Sequence, residues 1–383
     1  MQIDFHSSPG PSLGIEVELE VVDRETRELA SVATGLLEVM GKGHPGGEHP
    51  KAKHELFECT VEVITGVCQT VAEARADLDA TIGELRALTD ARGLDLLCSG
   101  THPFSHWADQ EISPNPRYYK LVEEMQWMAR RLQIFGVHVH VGVRSPEKAI
   151  AIANALSGYI PHFLALTASS PYWEGRDTGL ASSRSKVFEG LPTAGLPEPI
   201  ESWDDFETFM ETLVCSSAIS TVREVWWDIR PHPDFGTVEL RMCDGIPSLS
   251  EICAVAALAQ SLVARLDHLD DRGFTLPHLR DWVLRQNKWR AGRYGLETDF
   301  IIDEQGNLEP ARQAIAELVE EVRPAARKLG CAAELDDVGR ILDVGPSYKR
   351  QRRVAPEVIG KPSDLVPVVD LLVSELEQDG VLS

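Results

Sequence analysis

From Leu13 to Val21 the sequence LGIEVELEV alternates apolar and acidic side chains. Successive side chains of a strand point to opposite faces. Ile15, Val17, Leu19 and Val21 therefore share one face, and Glu16, Glu18 and Glu20 share the other. Such a strand needs an apolar layer on one side and an environment that tolerates carboxylates on the other.

Three further segments repeat the pattern. In HELFECTVEVITGV, Glu58, Thr60 and Glu62 fall on one face of an expected strand, with Glu55 just ahead of it. In FGVHVHVGV, His138 and His140 share a face between valines. In TVELRMCD, Glu239 and Arg241 share a face. Read singly, a Glu-x-Glu strand is a solvated face, and a His-x-His pair is two core rings or half a zinc site. Glu239 and Arg241 read equally well as members of cross-strand ion pairs. Taken together, the four polar faces resist a surface reading. Half-buried carboxylates are costly unless paired or metal-bound. One or two arginines cannot neutralise five or six of them. Oxygen-rich ligand sets select Mg²⁺ or Mn²⁺, and an added imidazole suits either.

Helices separate these strands without a βαβ rhythm. Residues 71–90 form an amphipathic helix through Val71, Ala74, Leu78, Ile82 and Leu85. Residues 116–134 are expected to be helical. Ser145 and Pro146 open another helix as N-cap and first residue. Further helices fall near 203–221, 248–267, 277–291, 309–329 and 364–378. Residues 169–199 form a long irregular segment, suited to a substrate or lid role. SYKRQRRV, 347–354, reads as a basic loop. An α+β fold follows: an antiparallel sheet with helices packed on one face. No linker marks a boundary, so residues 1–383 are read as a single catalytic domain.

Composition excludes some classes. The chain has 60 acidic and 37 basic side chains, a net charge of −23, the wrong sign for a nucleic-acid binder. It carries no 18-residue uncharged apolar run of the kind that spans a membrane. The N-terminus lacks a signal-peptide pattern, which makes cytoplasm the expected compartment. The seven cysteines form no C-x-x-C pair and read as reduced, mostly buried thiols.

Carboxylate-held Mg²⁺ commonly binds a nucleoside triphosphate. Candidate phosphate-binding cations are Arg176, Arg184 and Lys186 in the long segment, Arg230 and Arg241 on strands, and Lys349, Arg350, Arg352 and Arg353 in the basic stretch. There is no GxxxxGK[ST] motif.

The stretches LGIEVELEVV, KHELFECTVEV, SGTHPF, FGVHVHVGV, SPYWEGRDTGLASSR, WWDIRPHPDFGTVELRMCD and RAGRYGLE, in this order, resemble the YbdK-type carboxylate–amine ligases. These are also called type 2 glutamate–cysteine ligases. Residues 300–383, mostly helical, match the family more loosely. The resemblance implies a fold similar to the catalytic domain of glutamine synthetase, a curved antiparallel funnel with helices outside. It implies ATP and Mg²⁺, with Mn²⁺ as a substitute. Glu16, Glu18, Glu55 or Glu58, Glu62, one of His138 and His140, and Glu239 become metal ligands. Arg241 contacts phosphate. In the implied reaction Arg184 assists Arg241; Arg176, Lys186, Arg230, Arg350 and Arg352 remain nucleotide-contact candidates from residue type and position alone. The implied reaction is amide formation between a carboxylate such as glutamate and an amine such as cysteine, through an acyl-phosphate. A phosphotransferase on the same fold is the alternative. A homo-oligomer is compatible with the sequence, and no nucleic-acid or membrane partner is expected.

Overall fold

The computed structural model describes residues 2–379. Seven strands form one antiparallel sheet: β1 (Leu13–Asp23), β2 (Ala52–His54), β3 (Thr60–Ile64), β4 (Leu94–Leu97), β5 (Val137–Gly142), β6 (Ile229–His232) and β7 (Thr237–Leu240). Their order is β2-β3-β1-β5-β7-β6, and β4 pairs with the far half of β1. The long first strand is thus the spine. Its residues 13–17 pair with β5 and residues 20–23 with β4.

The apolar face of the alternation is buried as expected. Ile15, Val17, Leu19 and Val21 join Val61, Val63, Val137, Val139, Val141, Val238 and Leu240 in one core cluster. Burying each such side chain contributes about 1.5–3 kcal/mol. The helices Val71–Asp90, Pro146–Ser157 and Leu249–Asp271 cover this face. Leu249–Asp271 is long and apolar enough to cross a membrane, yet 83% of its apolar window is buried inside the protein. It is a core helix.

The Val71–Asp90 helix has the bounds its periodicity predicts. Ser145 caps the Pro146 helix through its Oγ, which accepts from Lys148 N at 3.2 Å. Other expectations change. The 116–134 helix breaks at Gln126 (φ 48°, ψ −123°) into Pro116–Met125 and Trp127–Arg130. The strand expected from residue 54 starts only at Thr60, because the chain turns at 58–59. The long segment 169–199 holds a two-strand hairpin and the short helix Arg184–Phe188. The basic stretch 347–354 is a helix and not a loop. Lys, Arg and Gln are good helix formers once a core side holds them, and Arg350 supplies that hold by sitting between Glu251 and Glu375.

Candidate active site

The polar face of the sheet is assembled by register. Glu18 lies opposite Glu62, and Glu16 opposite His138. Glu239 lies opposite His140 on one side and Arg230 on the other. Directly opposed side chains stand about 5 Å apart at Cβ. Residues more than 200 apart in sequence therefore form one continuous polar strip across five strands.

Two acidic groups stand out on this strip. Glu16, His138 and Glu239 have ligand atoms within 4.8 Å of one another, and so do Glu18, Glu55 and Glu62. In the first group His138 Nδ1 is 3.0 Å from Glu16 Oε2. His140 Nδ1 instead contacts Thr237 Oγ1 at 3.0 Å. Its buried Nε2 lies 3.2 Å from Glu16 Oε1 but is not aligned for a hydrogen bond. Arg230 Nε donates to Glu239 Oε2 at 2.8 Å, and Arg241 donates to Glu239 Oε1.

The electrostatics divide the acids. Burial pushes Glu16 up, but His140 and His138 outweigh it and hold the carboxylate well below its usual range. Burial also opposes ionisation of Glu239, and Arg230 and Arg241 overcome it. In the second group such help is outweighed. Burial and then Glu55 push Glu18 up to about 8, against the opposing Arg184 charge and the Gly136 N–H that donates to it. Burial followed by Glu16, Glu55 and Glu18 pushes Glu62 well above its usual value. The Glu62 carboxyl has no hydrogen-bond donor among the described residues. Burial holds His138 down to about 4, so that ring is neutral and free to act as a ligand.

These groups open onto a cavity of about 490 Å³. Glu16, Glu18, Glu55, Glu62, His138, Arg184, Arg230 and Arg241 line it, and Glu239 and His140 stand behind this lining. The anionic excess is local: Glu18, Glu55 and Glu62 converge with no ion-pair partner among the described residues, although cations line the rest of the wall. Divalent cations fit that excess. The Glu18–Glu55–Glu62 oxygens are mutually repelling and short of donors, and an imidazole lies at the edge of the other group. This donor set suits hard cations.

Several expected site residues lie elsewhere. Glu58 accepts from Thr34 N and Oγ1 at 3.1 and 2.6 Å and so fastens the start of a helix. Arg350 is spent on Glu251 and Glu375. Arg352 bonds Asp177, and Lys186 bonds Glu189. Arg176 is exposed on the hairpin. None of the five lines the cavity. In their place the cavity wall carries Lys53, Arg117, Lys120 and Arg223, with Tyr118, Trp226, His232 and Phe235. The His232 ring stacks on Phe235, with centroids 4.1 Å apart and planes 6° from parallel. Lys53 was legible, since it precedes Glu55 by two in KAKHE. Arg117 and Lys120 were legible as an i, i+3 pair on one helix face.

A pH prediction follows from the second acidic group. Its folded-state carboxyls keep protons that the unfolded chain releases near pH 4.5, so stability falls as pH rises towards 8. Below pH 6.5 a histidine held neutral by burial, such as His138, acts in the opposite sense, while His140, which Glu239 and Glu16 raise against burial, adds to the fall above it. The part of the fall removed by Glu62→Gln reports the acidic group, and pH 7–9 is the window to read. Melting temperatures of cation-free protein are expected to fall across it, and stabilisation by added Mg²⁺ to grow. A flat profile in both series would contradict the assignment.

The Glutamate-cysteine ligase family 2 (GCS2) profile matches residues 12–366. A protein of Frankia casuarinae named "Putative glutamate--cysteine ligase 2-1" is 58% identical over 376 residues, 98% of each chain. A Thermobifida fusca protein, "Putative glutamate--cysteine ligase 2", is 52% identical over 98% of this chain and 93% of its own. Among solved structures, the glutamate–cysteine ligase of Francisella tularensis in complex with AMP shares the fold. Its TM-score is 0.68 at 12% identity, covering 99% of this chain and 91% of that one. A bifunctional glutathione synthetase of Pasteurella multocida gives 0.64 at 14%, covering 95% and 52%. Fold, site and matches define the class: an ATP-dependent carboxylate–amine ligase. The chain belongs to glutamate–cysteine ligase family 2. The match runs on through residues 300–366, where the sequence motifs thin out.

Proposed function

We propose that the protein joins the γ-carboxylate of L-glutamate to the amine of L-cysteine, forming γ-glutamylcysteine from ATP. The names of its relatives supply the substrate pair. The observation that carries the chemistry is the convergence of two acidic groups with Arg184, Arg230 and Arg241 at one end of one cavity. Glu16, His138 and Glu239 would hold one Mg²⁺, and Glu18, Glu55 and Glu62 another. Bound Mg²⁺ neutralises triphosphate charge and steadies the phosphates for in-line transfer. Phe235, exposed and stacked on His232, offers an aromatic face for a nucleobase.

An oxygen of the substrate carboxylate attacks the γ-phosphorus, and the bond to the β-phosphate oxygen breaks to release ADP. The amine then attacks the acyl carbon of the acyl-phosphate. Phosphate leaves, the nitrogen loses its proton, and the amide remains. Arg241 and Arg184 donate hydrogen bonds where negative charge collects on the transferring phosphoryl group. Glu239 keeps Arg241 aimed into the cavity. The rest of the catalysis is positioning.

The test is ADP release in Mg²⁺ with amino acids supplied singly and in acid–amine pairs. Glutamate with cysteine is expected to give sustained ADP, phosphate and amide in equal amounts, and omission of either to stop it. Stoichiometric ADP with the acid alone, yielding a stable phosphorylated product, would move the assignment to a phosphotransferase.

A further inference from the structure

Asp244 lies three residues beyond Arg241 and is fully buried. No cation forms an ion pair with it among the described residues. Its carboxylate accepts only neutral donors: Ser182 Oγ at 2.8 Å on Oδ1, and Ser170 Oγ at 2.7 Å and Ser169 N at 2.9 Å on Oδ2. Ser170 Oγ, having donated to Asp244, accepts from Arg184 N at 3.1 Å. Ser183 Oγ donates to the Ser170 carbonyl at 2.7 Å. One carboxylate thus ties both ends of the 169–184 segment to the chain that leaves β7. The neighbouring backbone is cut to fit it, since a Cβ on Gly100 would stand 2.7 Å from the Asp244 carboxyl.

The far end of this relay is the Arg184 side chain, which lines the cavity. No carboxylate orients its guanidinium. Its terminal nitrogens hydrogen-bond only the Arg241 carbonyl, at 3.3 and 3.4 Å, and its Nε is buried without a hydrogen-bond partner. Its other contact, the Phe188 ring at 5.7 Å, belongs to the same short helix and moves with the Arg184 backbone. The group lies so close to Gly136 that a Cβ there would come within 2.3 Å of it. The aim of Arg184 therefore depends on where its backbone is anchored. We propose that Asp244 is a positioning residue: through Ser170 and Ser182 it fixes the Arg184 backbone so that the guanidinium meets the transferring phosphoryl group. This rests on the role given to Arg184 above. A carboxylate suits the task because three donors converge on it. A carboxamide offers one acceptor oxygen and turns an N–H₂ towards donors.

The test is a double-mutant cycle of Asp244→Asn with Arg184→Met, read as kcat and KM for ADP release. Asp244→Asn alone is expected to lower kcat about 10- to 100-fold, the scale of a misplaced catalytic group, while KM for ATP changes less than about threefold. In the Arg184→Met background it should cost no more than about twofold further, because the two residues act as one unit. Amide hydrogen exchange on the full chain is the second arm. Ser169 and Arg184 amides should lose protection in Asp244→Asn while those of β5 keep theirs. Ser170→Ala removes only the relay and should give the same pattern if Asp244→Asn does not fold. Undiminished kcat, an equal loss in both backgrounds, or unchanged protection at Arg184 would each overturn the proposal. The exchange arm needs no turnover, so it separates failure of the clamp from failure of the ligase reading.

Discussion

Replacing Glu239 by glutamine is expected to lower ADP release by about 10²–10³-fold and to destabilise the fold by about 3–5 kcal/mol. Both effects have one origin. Glu239 is 1% exposed and holds Arg230 and Arg241 at once. Glutamine keeps the shape but not the charge, and a carboxamide cannot accept from both guanidiniums with both of its ends. Arg230, itself buried, is left uncompensated. Arg241 loses the group that aims it. Sequence alone predicts loss of turnover without unfolding. The structure adds the stability cost, because it shows the same carboxylate as counter-ion to two arginines. ADP release and thermal melting on one preparation read both quantities. Normal turnover would sink the assignment of this strip as the catalytic face.

Glu62→Gln is expected to act with opposite signs on stability and activity. Glu62 opposes Glu18 across the strand pair and shares its group with Glu55. Glutamine is neutral in both states, so it avoids the cost of taking up a proton on folding that the buried acid bears, and the cation-free variant should melt at a higher temperature than its parent. The fall in melting temperature between pH 7 and 9 should flatten as well. The same change removes a ligand atom, and Mg²⁺ should bind about 10–100-fold more weakly, the loss seen when the support of a metal site is damaged. Turnover at limiting Mg²⁺ falls with it. A variant less stable than its parent without cation would show that Glu62 makes favourable contacts, contrary to the geometry.

Much of the site could be read before the fold was known, for a local reason. Alternation with period two depends only on strand geometry, so the grouping of Glu16 with Glu18, and of His138 with His140, needs no tertiary information. The choice between Glu55 and Glu58 does need it. The turn at 58–59 ends the alternation, and Glu58 goes to Thr34 while Glu55 goes to Glu18 and Glu62. The basic stretch 347–354 misleads for a related reason. Arg350 looks like a surface cation until Glu251 and Glu375, 99 and 25 residues away, are seen to enclose it. Asp244 gives no sequence signal, because two serine hydroxyls and a backbone amide distinguish it only once they converge.

The sequence by itself settled which residues share a face, where the apolar layer lies, and that several carboxylates need compensation, because these follow from the chemistry of adjacent residues. The tertiary structure alone decided which acids meet, which arginines reach the cavity and which are spent as internal counter-ions. Those outcomes turn on strand register and long-range contact. A pairing shift of one residue would send every polar side chain to the opposite face, and no local pattern encodes which distant charge will arrive to meet it.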